Sequence, residues 1–303
     1  MNPNNLDNSL AGLSSSTIKI PAAIISVLEN KDTLTINELL ETQHDTTNID
    51  FQAISEWASH LTDNLLRGSG YVCIKCDEKL SETQLRILYM FIGKGLGKLN
   101  TSYGNLFDVV DQGMDHKKEA IPVSKTKAET SFHTDSTAKN YLPDIVGLLC
   151  ISPAFSGGDS LIGSARQLYH HLEQNHPDLL NELKKPIIRD VITPGTDQNT
   201  DRILANSFPV FEENNGSITF RYMRFWIESA HNKTGKDLPK KLKEAMDEVD
   251  HFYSEKENIL QFQLDAGDML YMNNRFLCHN RTAFEDRPDL NIQRKLVRTW
   301  INI

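Results

Sequence analysis

Cysteine, long apolar runs and excess basic charge are all scarce in this chain, and each shortage removes a class of protein. Four cysteines in 303 residues, Cys73, Cys76, Cys150 and Cys278, are too few and too scattered for a disulfide framework. Cys73 and Cys76 form a single C-x-x-C inside GYVCIKCD; with no second pair it reads as strand, not as a zinc or redox motif. No segment approaches the roughly 18 consecutive apolar residues of a membrane span. The N-terminus, MNPNNLDNSLAGLSSSTIKIP, has neither the basic start nor the apolar stretch of a secretory signal, so a cytoplasmic protein is expected. With 32 Lys and Arg against 41 Asp and Glu, the formal net charge is -9. Nucleic-acid binding needs a basic stripe and is not expected. An acidic surface tolerates a cationic or zwitterionic small molecule, which tilts the expected partner toward a free amino acid. The sequence gives no indication of oligomeric state.

Hydrophobic residues make up 39% of the chain, enough for a full core. Length alone allows about two domains, but all-β barrels of comparable size commonly form one. The expected organisation is a flexible segment over 1–20 and a single domain over 21–303.

The chemistry lies in His133-Thr134-Asp135 and in His279 within NNRFLCHNRTAFED. Residues i and i+2 point to one side of extended backbone but to nearly opposite sides of a helix, so His-x-Asp can chelate one ion only from a strand-like segment. TSFHTDST is rich in β-branched and aromatic residues and lacks a helical apolar repeat. With His279, two imidazoles and one carboxylate occupy one face of a metal and leave positions open. That set suits non-haem iron(II) better than a closed structural zinc site. In QRKLVRTW, a period of two places Arg294, Leu296, Arg298 and Trp300 on one face, and the apolar members make it the buried one. A buried guanidinium without an anion costs several kcal/mol, so something anionic should lie between these arginines and the metal.

FHTDS at 132–136, PDIVGLLCISPAFSGGDS at 143–160, DAGDMLYMNNRFLCHNRTAFED at 265–286 and RKLVRTW at 294–300 together resemble the TauD/TfdA-like family of iron(II)- and 2-oxoglutarate-dependent oxygenases, in the style of the clavaminate-synthase-like enzymes. The resemblance implies a mainly β fold, a double-stranded β-helix of the jelly-roll, cupin-like kind with helices outside. It implies His133, Asp135 and His279 as ligands of Fe(II), and Arg294 and Ser160 as the holders of the distal carboxylate of 2-oxoglutarate; the family often has Thr at the latter place. It places Arg298 near an acidic group of the substrate. The implied reaction consumes O2 and 2-oxoglutarate and hydroxylates an unactivated C–H bond of a small amino-acid-like or natural-product metabolite, giving succinate and carbon dioxide. Desaturation or cyclisation by the same site is the nearest alternative. A noncatalytic jelly-roll binding module is the alternative from another class, and it predicts erosion of the ligands that are in fact present. Halogenation is disfavoured because the carboxylate ligand is retained.

Elsewhere, Ser81-x-x-Gln84 opens a helix that ends at glycines. Residues 101–130 are read as a candidate substrate lid. SITFRYMRFWIES is read as a strand with Ile218, Phe220, Tyr222, Arg224 and Trp226 on one face, which makes Arg224 a second candidate for a substrate carboxylate. His170, His171 and His176, on a helix broken near Pro177, are read as solvated surface without a carboxylate companion.

Overall fold

The computed structural model describes residues 16–28, 49–77, 79–100, 106–113, 123–138, 142–190, 199–214, 216–290 and 292–303. Two β-sheets face each other. The larger runs in the order Thr17–Lys19, Tyr71–Lys75, Met269–Asn273, Ile145–Ser152, Lys295–Asn302, Lys98–Leu99, and Phe107–Val110 also pairs with Lys295–Asn302. All its pairings are antiparallel except that of Thr17–Lys19 with Tyr71–Lys75. The smaller sheet runs Ile259–Phe262, Ser160–Ser164, Leu277–Arg281, and His133 joins its edge through a single antiparallel bridge to His279. This is the expected double-stranded β-helix with helices packed outside.

Period-two alternation sorts the side chains into layers. Tyr71, Cys73, Val146, Cys150, Leu270, Met272, Leu296 and Trp300 of the larger sheet meet Ile162 and Leu277 of the smaller one in the inner core. Their immediate neighbours Val72, Ile74, Ile145, Leu149, Met269, Tyr271, Val297 and Ile301 point outward, against the helices Ile49–Ser59 and Glu82–Leu96. The predicted capping box of the second helix is present, with Ser81 and Gln84 bonding each other's backbone N–H. Cys73 and Cys76 fall into different layers, so the C-x-x-C does not converge. Behind the smaller sheet, Cys278 packs into a cluster built by the helices Ala165–Asn175, Pro177–Leu183, Arg224–Thr234 and Lys240–Ser254.

Three expectations change. Thr17–Lys19, within the segment expected to be flexible, is an edge strand. Phe107–Val110, within the segment read as a lid, is a sheet strand that places Val109 in the inner core; Val123–Lys125 is a 3-10 turn, and 101–105 and 114–122 lie outside the described residues. The strand read over SITFRYMRFWIES stops at Phe220, and a helix runs from Arg224 to Thr234. Local β-propensity there yields to tertiary packing, because Ile227 and Ala230 are buried three residues apart on a helical face.

The crossing of Ile145–Ser152 behind the helix Glu82–Leu96 depends on Gly147. A Cβ there would lie 2.6 Å from the Tyr89 hydroxyl and 2.9 Å from both Thr299 Cγ2 and Tyr271 Cε1. Tyr89 and Tyr271 stack with centroids 5.4 Å apart, and the Tyr271 hydroxyl donates to the Tyr89 carbonyl at 2.9 Å, so neither ring has room to yield. Gly147→Ala is expected to cost about 1–3 kcal/mol by overpacking; equilibrium denaturation showing no loss would refute this account of the contact.

Candidate metal and cosubstrate site

His133 and His279 face each other across the sheet edge. Their backbones exchange two hydrogen bonds, His133 N–H to the His279 carbonyl at 3.0 Å and His279 N–H to the His133 carbonyl at 2.9 Å. The two rings lie 4.3 Å apart. The next residue, Thr134, donates to the Tyr222 carbonyl at 2.9 Å, and Asp135 starts a turn. The extended segment expected for His-x-Asp is therefore only two residues long, held between Leu277–Arg281 and Tyr222. The chain leaves sheet pairing at Asp135 because its N–H goes to the Asn274 side-chain oxygen at 2.8 Å, while the Asn274 amide donates to the Asp135 carbonyl at 3.1 Å and to Pro143 at 3.2 Å. Ser131 and Ser136, at φ 58° and 64°, are the two non-glycine residues of positive φ among those described, and they bracket the triplet. Strain of this kind persists where surrounding structure over-determines it.

The carboxylate of Asp135 divides its two oxygens between two tasks. Oδ1 lies 3.8 Å from His133 Nε2 and 3.9 Å from His279 Nε2. Oδ2 accepts from the Trp300 indole N–H at 2.7 Å, and Arg298 Nη1 straddles the carboxylate, 3.3 Å from Oδ2 and donating to Oδ1 at 3.5 Å. Burial pushes the Asp135 carboxyl up, but Arg298, the two imidazoles and the indole together outweigh it and hold it down at about 2. Burial pushes His279 down to about 3 and lowers His133 as well, so both rings are neutral at pH 7. His133 Nδ1 lies 2.8 Å from the Ser131 carbonyl, which makes Nδ1 the donor and leaves the Nε2 lone pair directed toward Asp135. Two neutral Nε2 atoms and one carboxylate oxygen, all within 4.8 Å of one another, make a donor set that fits a divalent ion of iron(II) type.

Ser160 and Arg294 meet in one small pocket, shared with Cys150, Gly158, Gln263 and Leu296. The register of the smaller sheet sets Ile162 opposite His279 and Ser160 opposite Arg281, so Ser160 stands one same-face step, about 7 Å, from the metal-binding edge. Arg294 is 5% exposed. Its backbone N–H bonds Asp286 and its guanidinium lies over the Phe284 ring at 5.2 Å, yet among the described residues no protein oxygen accepts from that guanidinium. Burial lowers its pKa to about 10. Gly158, at φ +75°, allows the loop to lie on it, since a Cβ there would be 3.0 Å from Arg294 Nε. Arg281, over the same ring at 4.8 Å, donates to the carbonyls of Thr126 and Ala128. Burial and Arg294 together lower its pKa to about 9. Asp286 and Asp111 act on these two guanidinium groups from a distance, but among the described residues no carboxylate forms an ion pair with either, and such a pocket fits a carboxylate ligand.

Of the residues singled out by sequence, His133, Asp135, His279 and Arg298 come together, and Ser160 and Arg294 come together beside them. Arg224 does not join: it begins a helix, and its guanidinium is neutralised by Glu228 at 2.7 Å, Asp247 at 2.8 Å and Asp250 at 2.7 Å. Sequence reasoning missed Asn274 and the hydrogen-bonding role of Trp300. Trp300 was already on the buried face, and a buried indole needs an acceptor, a signal that could have found it. Asn274 carried no signal of its own.

Comparison with known proteins agrees with this geometry. The family described as taurine catabolism dioxygenase TauD, TfdA family, matches residues 35–300. FR-33289 synthase of Streptomyces rubellomurinus is 27% identical over 233 residues, covering 75% of this chain; the chain spans 66% of that protein's length. The fold matches that of asparagine oxygenase in complex with Fe(II), 2S,3S-3-hydroxyasparagine and succinate, at TM-score 0.65 and 19% identity over 95% of this chain and 93% of that one. It also matches the non-haem iron oxygenase OrfP in complex with Fe and alpha-ketoglutaric acid, at TM-score 0.62 and 14% identity over 94% of each chain. A match over this length, with the His-Asp-His cluster in place, shows that the chain belongs to the TauD/TfdA family of dioxygenases.

Proposed function

We propose that this chain is an Fe(II)- and 2-oxoglutarate-dependent oxygenase that hydroxylates an unactivated C–H bond of a free amino acid or a closely similar small metabolite, acting as one domain over 21–303. The cosubstrate assignment is carried by Arg294, a buried guanidinium beside Ser160 that makes no ion pair among the described residues. The amino-acid assignment is supported by the asparagine oxygenase neighbour, whose complex holds a hydroxylated amino acid, and by the acidic surface of the chain. Four free, buried cysteines fit a reducing compartment such as the cytoplasm.

Each residue has a defined task. His133 Nε2, His279 Nε2 and Asp135 Oδ1 would hold the metal. Trp300 restrains Asp135 Oδ2 and Arg298 steadies both oxygens, so the carboxylate would present Oδ1 to the metal. Arg294 and Ser160 would bind the far carboxylate of 2-oxoglutarate, and Arg281, which donates to the carbonyls of Thr126 and Ala128, adds positive potential beside Arg294. Only Nη1 of Arg298 is engaged by the described residues; its other donors would meet an acidic group of the substrate. When bound, Fe(II) and 2-oxoglutarate supply the oxidising chemistry: O2 is reduced, the cosubstrate becomes succinate and carbon dioxide, and a substrate C–H becomes C–OH. The protein orients the target carbon and excludes water.

An anaerobic visible absorption titration of the full chain with ferrous iron and 2-oxoglutarate, followed by a panel of free amino acids, tests the reading. A charge-transfer band perturbed by one amino acid is the expected result; no band would overturn the oxygenase assignment, and a band that ignores the whole panel would overturn the amino-acid assignment. Arg294→Ala is expected to weaken 2-oxoglutarate at least about tenfold, a loss of roughly 1.4 kcal/mol, while iron affinity stays unchanged. Equal weakening of both would show that Arg294 acts on the fold and not on the cosubstrate. Trp300→Phe removes the indole N–H that donates to Asp135 Oδ2, together with part of the ring on which Arg298 stacks, and a drop in Fe(II) affinity of about 10–100-fold is expected. Unchanged affinity in a metal titration would mean that the indole fills space without restraining the ligand.

A further inference from the structure

His171, His176 and Glu248 form a second convergent donor set, away from the triad. His171 lies within the helix Ala165–Asn175. His176 lies five residues on, a separation that would turn it about 140° away on a continuous helix. Pro177 at the start of the helix Pro177–Leu183 breaks the helix there, and His176 serves as the cap of both helices at φ -139° and ψ 54°. The break brings the two rings to 5.7 Å. The helix Lys240–Ser254 supplies Glu248, whose Oε1 lies 2.8 Å from His171 Nε2 and 3.7 Å from His176 Nε2. All three histidines lie at least partly at the surface, as expected, but each has a carboxylate companion: His170 leans on Glu173 at 3.6 Å, and His171 and His176 share Glu248. That shared companion comes from a different helix and could not be seen in local spacing.

We propose that His171, His176 and Glu248 bind a divalent transition-metal ion of zinc type, with water completing the coordination. Four-coordinate zinc with bonds of about 2.0–2.1 Å sets neighbouring donors about 3.3–3.4 Å apart; the 3.7 Å separation lies near that value, and the 2.8 Å contact, a hydrogen bond in the metal-free protein, would open by about half an ångström. The Glu248 side chain is 18% exposed. Among the described residues no Lys or Arg lies within ion-pair distance of it, so its charge faces only the two imidazoles. Ligation through His171 Nε2 requires a proton on Nδ1; the Asn175 amide nitrogen lies 3.3 Å from that atom and donates to the His171 carbonyl at 3.1 Å. His171 is further fixed against the Phe252 ring at 5.0 Å. The ion would fasten the helix Lys240–Ser254 to the Ala165–Leu183 pair. Tyr253 of the same helix packs against Phe132, the residue before His133, at 4.8 Å, so the ion would stiffen the wall behind the triad.

Zinc(II) titration calorimetry on the metal-free full chain tests this independently of the oxygenase reading. Wild type is expected to take up two zinc ions. The double variant His133→Ala/His279→Ala is expected to take up one, with a higher melting temperature in zinc. Adding His171→Ala or Glu248→Gln to that background is expected to weaken the remaining site at least about tenfold and to abolish the melting shift. Glu248→Gln keeps the shape of the side chain, so it remains informative if His171→Ala does not fold. Absence of zinc binding by the double variant, or binding that survives Glu248→Gln with undiminished affinity, would overturn the proposal.

Discussion

The fold is organised around one buried carboxylate. Asp135 is charged inside a protein core, a state that is costly unless every lone pair is engaged. Its Oδ2 is held by an indole and a guanidinium that descend from the same face of Lys295–Asn302, and its backbone is clamped by Asn274 at the end of Met269–Asn273. Two strands of the larger sheet thus fix a residue whose neighbour His133 is bridged to the smaller one. The inner core already packs the two sheets together; the carboxylate adds donors from the larger sheet beside the histidines of the smaller one.

That requirement explains why the strained turn is tolerated. Left-handed backbone at Ser131 and Ser136 costs of order 1–3 kcal/mol per residue, and glycine is absent from both places although it would relieve the strain. Between them the chain crosses from a bridge with His279 to a clamp at Asn274 in three residues. The Ser131 carbonyl meets His133 Nδ1, so the turn also selects which ring nitrogen faces Asp135.

Much of this was legible from alternation. The period of two in RKLVRTW placed Arg294, Arg298 and Trp300 inward, and the layers confirm it through Leu296 and Trp300 inside and Val297 and Ile301 outside. The capping box at Ser81 and Gln84 was legible because both partners lie within one turn. What failed had its cause at long range. Arg224 carries the same period of two as Phe220 and Tyr222, yet burial of Ile227 and Ala230 against other helices turns its segment helical and gives its charge to Asp247 and Asp250, more than twenty residues away. Asn274 is one of two consecutive asparagines, and nothing local distinguishes the one that clamps Asp135 from the one that bonds Leu65.

The same logic separates the three arginines that the sequence placed inward, Arg224, Arg298 and Arg294. Arg224 has three carboxylates, is partly exposed and is satisfied. Arg298 shares one carboxylate that is also directed at two imidazoles. Arg294 is the most buried of the three and has none among the described residues. Removing charge partners as burial increases runs against folding stability, since desolvation grows while compensation falls. A chain selected only to fold would replace Arg294 with an apolar residue of similar volume. Arg294 thus stands beside Ser160 with no ion pair among the described residues, and the proposed contact with a ligand carboxylate rests on that feature.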